Sequence, residues 1–155
     1  MMAGRVFQLN VSPGGVPKRA IAEAYVGTEG LRTDAVNHPK IHGGPERAVC
    51  LYALELVLAL QEEGHPIFPG AVGENMTLVG VDWSRLAPEV VLAVGDQVRL
   101  QITRLTNPCK TIAPFFRDGA FRRIDDARHP GWSRWYARVL QEGTVRPGDP
   151  VRIEG

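Results

Sequence analysis

Apolar and polar positions along this chain switch between strict alternation and short solid runs, with turn residues punctuating both. The clearest alternation spans residues 94–102, where Val98, Leu100 and Ile102 point one way and Arg99, Gln101 and Thr103 the other, predicting a half-buried strand. RPGDPVRIEG at the C-terminus echoes it, with a Gly-Asp turn before an alternating Val151 and Ile153. Residues 5–11 and 20–26 predict two early strands, separated by SPGGVPK, a Gly-Pro cluster that ends in the basic pair Lys18 and Arg19. Another short strand is predicted at 75–79, bracketed by glycines, and DWSRLAP predicts one helical turn.

Two segments predict helices instead. The run AVCLYALELVLAL places a core helix over residues 46–63, stopped by Gly64. In HPGWSRWYARVLQEG, Trp132, Trp135, Tyr136, Val139 and Leu140 form one apolar side of a helix over residues 133–141. Strands dominate, so the expected architecture is mainly β: a small, closed, mainly antiparallel β-barrel with inserted helices, as a single domain over residues 1–155.

Composition supports a packed core, at 44% hydrophobic and 23% charged over 155 residues. A formal net charge of +1 supplies no global field for nucleic acid or an anionic membrane, so any anion site must be local. The longest apolar run carries Glu55 and falls short of the ~20 residues that cross a bilayer. Only two cysteines occur and the N-terminus lacks the pattern of a signal peptide, which sets a cytoplasmic expectation.

Chemistry centres on those two thiols. Cys50, expected mid-helix among Val49, Leu51 and Leu54, should act as a small hydrophobe with a raised pKa. Cys109, in LTNPCKTI, follows a strand, comes after Pro108 and has Lys110 beside it, a cation that favours the thiolate. From these residues alone both a reactive thiol and an ordinary loop cysteine stay open. His38 and His42 have a spacing found in zinc sites, but Pro39 makes that segment a loop and no cysteine pair accompanies it. Lys18, Arg19, Lys40, His42 and Arg47 fall in two glycine-rich loops, either as a phosphate cradle or as solvated loop charges.

Three separated motifs, HGGPERAV at 42–49, GAVGENMTL at 70–78 and TNPCKTI at 106–112, together resemble the MOSC domains, named for the C-terminal domain of molybdenum-cofactor sulfurases. The resemblance implies a closed β-barrel and makes Cys109 the family's motif cysteine. In some members that thiol ligates the molybdenum of the pterin cofactor; in others it has been proposed to carry sulfur as a persulfide. It further implies a phosphate cradle from Lys18, His42, Gly43, Gly44 and Arg47, a pterin contact from Asn75, and Lys110 easing deprotonation at the thiol. Glu74 is read as structural. Ala71 departs from the serine of many relatives.

Three functions follow from that resemblance. One is a molybdopterin-binding protein, the catalytic component of a reductase of N-hydroxylated compounds, with Cys109 on molybdenum. Larger relatives carry further domains, so electrons are expected from a partner protein. The second is a sulfur carrier loaded by a cysteine desulfurase, in which pyridoxal phosphate belongs to the partner. The third is a barrel that binds an anion or a partner without catalysis. Both chemical readings require Cys109 to open into a cleft that also exposes the loops of Gly43 and Gly73.

Overall fold

The computed structural model describes residues 4–35 and 44–155. Eleven strands are defined among them: β1 (Gly4–Val11), β2 (Arg19–Ile21), β3 (Ala24–Gly27), β4 (Gly30–Leu31), β5 (Val49–Ala53), β6 (Met76–Val79), β7 (Val91–Val94), β8 (Val98–Leu105), β9 (Trp135–Gln141), β10 (Gly143–Val145) and β11 (Pro150–Ile153). Seven of them close in the order β11-β7-β8-β9-β5-β6-β1, because β1 pairs with β11 as well as with β6. β2 adds to the far end of β1, and β10, β3 and β4 form a separate small sheet. The barrel is closed as expected, and mixed in direction: β5 and β6 run parallel while every other pair is antiparallel.

A parallel pair needs a long crossover. Here it is α1 (Leu54–Glu62), the one α-helix among the described residues, followed by the loop that returns the chain to β6. Two predicted elements are thereby corrected. The helix expected over 46–63 is a strand for its first half, since residues of β5 are paired on both sides, with β6 and β9. The helix expected over 133–141 is strand β9, paired with β5 and β8. All five residues of β5 are buried, so the run shows no alternation to separate it from a core helix. In β9 the alternation is blurred where the register with β8 shifts, once between Arg99 and Leu100 and once between Ile102 and Arg104.

β5 is apolar on both faces because it has a core on each side. Val49 and Leu51 point into the barrel with Leu9, Met76, Leu100 and Ile102. Tyr52 points outward, into a second core with Val57 and Leu60 of α1, Val72, Ile112, Phe116 and Ile124. A layer made of α1, the 65–72 loop and the short 3-10 segments between Lys110 and Ile124 therefore covers one outer face of the barrel. Burying a side chain such as Leu51 or Leu60 contributes about 1.5–3 kcal/mol, and the outer layer is held by the same force as the barrel.

Candidate functional site

Cys109 sits at the head of the 3-10 segment Lys110–Phe115, where Pro108 ends the pairing of β8. Its thiol is neither sealed nor free in solvent; it is half-buried, and its Sγ lies 2.8 Å from Thr111 Oγ1. Either side chain can be the donor in that contact. Ile112, three residues on, is anchored in the outer core, so the segment is fixed from below. Lys110 is exposed beside it.

Beneath that layer, several polar groups gather beside the outer face of β5. Cys50 lies opposite Tyr136, and its Sγ is 3.9 Å from Thr106 Oγ1. Burial pushes the Cys50 thiol up, opposed first by the charge of Arg134. The core role expected for Cys50 holds, although it stands in a strand and not in a helix. Burial likewise raises Tyr52, and lifts Tyr136 to about 12. Glu74 is fully buried and its carboxyl is held above the ordinary range by burial, against hydrogen bonds from backbone amides and from Thr77 Oγ1 at 3.0 Å.

The loop that presents Glu74 is shaped by Gly70, whose φ is +90°; a Cβ there would collide with the Lys18 carbonyl and crowd Asn10. Lys18 N donates to Gly70 O, which locks the SPGGVPK loop against GAVGEN. Lys18 Nζ forms a buried ion pair with both oxygens of Asp34, at 2.7 and 2.8 Å. Asp34 also accepts from Ser12 N and from Asn75 Nδ2, and Asn75 Oδ1 accepts from Cys50 N. The structure thus joins Lys18 and Asn75 through Asp34. Lys18 is neutralised by that pair, and the Asn75 amide is engaged at both ends.

On the opposite rim, Gly44 begins the 3-10 turn Pro45–Arg47, which is clamped to the barrel by Thr103 Oγ1 donating to Glu46 O and by the Arg138–Glu46 ion pair at 2.7 Å. Arg47 rests over the Tyr136 ring, 6.0 Å from its centroid. His42, Gly43, His38 and Lys40 lie outside the described residues. Arg19 is exposed on β2. Among the described residues no group of three or more His, Cys, Asp or Glu side chains could hold a metal ion. Two clefts, of about 190 and 440 Å³, lie either side of Trp83 and do not include Cys109.

Sequence reasoning missed Asp34, Thr106, Arg134 and Tyr136. For Arg134 a signal existed, a lone cation inside the stretch WSRWYA. Ser133 Oγ contacts the carbonyls of Thr106 and Arg134, and Thr106 N donates to Arg134 O, so this pair pins the start of the Cys109 loop.

A closed mixed barrel, with a loop layer over one outer face and a half-exposed thiol in that layer, defines the class of protein. The chain belongs to the MOSC domain family, whose model matches residues 38–152, and that family is associated with the molybdenum cofactor. It is 33% identical over 128 residues to YflK of Bacillus subtilis strain 168, across 79% of this chain and 52% of that protein. It therefore spans about half the length of that relative. To YiiM of Escherichia coli K12 it is 26% identical over 156 residues, across 94% of this chain and 68% of YiiM. The crystal structure of YiiM from Geobacillus stearothermophilus superposes with a TM-score of 0.72 at 25% identity, covering 98% of this chain and 75% of that one. YuaD of Bacillus subtilis, at 16% identity and a TM-score of 0.73, shares the fold.

Proposed function

We propose that this chain binds the molybdenum cofactor, with Cys109 as the protein ligand to the metal, and acts as the catalytic component of a reductase of N-hydroxylated compounds. The observation that carries this reading is the contrast between the two thiols: Cys50 is sealed and held neutral, whereas Cys109 is half-exposed beside the Thr111 hydroxyl. When bound, the cofactor supplies a redox-active metal held by dithiolene sulfur. A thiolate is a soft ligand suited to that centre.

The donor set fits such a group. Cys109 is half-exposed at the head of its 3-10 segment, Arg47 lies over Tyr136, and the Arg134 carbonyl receives Thr106 N where the Cys109 loop begins. Lys18 and Asn75 are joined through Asp34. Protein purified from a host that makes the cofactor should carry molybdenum and pterin, and Cys109→Ser should lose the metal. Protein lacking metal but accepting a persulfide on Cys109 from a cysteine desulfurase would replace this reading with that of a sulfur carrier. If neither is found, the chain is a binding barrel without this chemistry.

A further inference from the structure

We infer that Arg134 is an anion-recognition residue, holding an oxyanion of the phosphate class at the root of the Cys109 loop. Arg134 is 6% exposed. Only its Nη1 finds an acceptor, the Val72 carbonyl, and its Nε is sealed from solvent with no hydrogen-bond partner. No carboxylate among the described residues forms an ion pair with it. The contrast with Lys18 is direct: that cation is equally buried and sits on both oxygens of Asp34.

Among the described residues, no carboxylate near Arg134 pairs with it. Cys50, Tyr52 and Tyr136 feel its field but are held in their neutral forms by burial, and Glu74, whose titration Arg134 also influences, makes no hydrogen bond or ion pair to it. A buried cation without a counterion is destabilising unless something neutralises it. A guanidinium offers a planar fork of donors that matches two oxygens of a tetrahedral oxyanion, and five N–H groups with one protein acceptor leave that capacity unspent. Position completes the case: Arg134 O receives Thr106 N at the root of the Cys109 loop, and the Val72 it touches packs in the same outer core as Ile112.

If the oxyanion is the phosphate of the pterin cofactor, the inference rests on the proposed function; free inorganic phosphate would use the same fork, and the test separates the two. The full chain, from a host that does not make the cofactor, is melted in increasing inorganic phosphate against chloride at matched ionic strength. Wild type should gain Tm saturably. Arg134→Met should begin no less stable than wild type, because the cation it removes is unpaired, and should bind phosphate about tenfold more weakly or worse. Arg134→Lys, which keeps the charge and loses the fork, should fall between. Equal phosphate responses in wild type and Arg134→Met, or no response in wild type, would overturn the assignment. So would an Arg134→Met that is strongly destabilised while Arg134→Lys is restored without any phosphate dependence, the mark of a purely structural cation. In cofactor-producing cells, loss of pterin from Arg134→Met identifies the cofactor's phosphate as the ligand. A phosphate response in a protein that never carries pterin leaves the oxyanion site standing and removes the cofactor reading.

Discussion

Two buried polar regions flank β5, and they solve the burial of charge differently. In the corner made by Lys18, Asp34 and Asn75, a cation meets a carboxylate that also accepts from a backbone amide and a side-chain amide. In the floor made by Glu74, Arg134 and Cys50, polar groups share a space without a complete set of partners: Glu74 Oε1 and Arg134 Nε are both sealed and unpaired by hydrogen bonds. The first arrangement is a finished piece of fold. The second has the unfinished donors and acceptors of a binding site, where a ligand supplies what the chain does not.

The sharpest way to break that contrast is at Asp34. Asp34→Ala strands Lys18 as a buried unpaired cation and should cost about 3–5 kcal/mol in urea unfolding, while Asp34→Ala combined with Lys18→Met should recover much of the loss. A small effect of the single change would make the two regions alike.

Next in size is thiol accessibility. Native protein should take one alkylating label, on Cys109, and a second only after unfolding exposes Cys50, as mass spectrometry would show. Labelling of Cys50 in the folded state would mean that the floor opens readily.

Glu74 tests the floor by pH. Burial raises its folded-state pKa above the unfolded value, so its favourable contribution is complete below the unfolded value and is lost as pH rises through the folded one. Tm should therefore decline with rising pH in wild type, and Glu74→Gln, which keeps the shape and cannot ionise, should flatten that decline. The smallest effect belongs to the exposed pair of Arg99 and Glu154, at 2.6 Å across β8 and the C-terminus. Arg99→Ala should leave Tm unchanged within error, because solvent screens such pairs.

Much of the barrel was legible because half-buried strands announce themselves. In β8, Val98, Leu100 and Ile102 are buried and alternate with less buried positions, as the sequence pattern predicts. β11 pairs with β7 just after its Gly-Asp turn, and Gly95 N reaches Pro150 O, so the echo between the two segments is also a spatial contact. The helical turn expected in DWSRLAP is the 3-10 segment Trp83–Arg85, capped by Asp82. What was misread lies where both faces of a strand are covered. β5 forms the seam between the two cores, and there hydrophobicity reports burial without reporting period, whereas in β9 the period is broken by the register shifts with β8.

The candidate site divides along the same line. Cys109 was singled out by its motif, its local chemistry leaving both readings open, and the structure sets it at the head of a 3-10 segment, half-exposed. Lys18 and Asn75 were legible as polar residues in glycine loops, but their link through Asp34 joins positions 16 and 41 residues apart and leaves no trace in local spacing. Sequence alone thus determined a strand-rich fold and its turns, since those depend on neighbours along the chain. Only the tertiary structure decided that Lys18 meets a carboxylate in an ion pair while Arg134 does not, because the partner of a buried group comes from whatever segment folding brings against it.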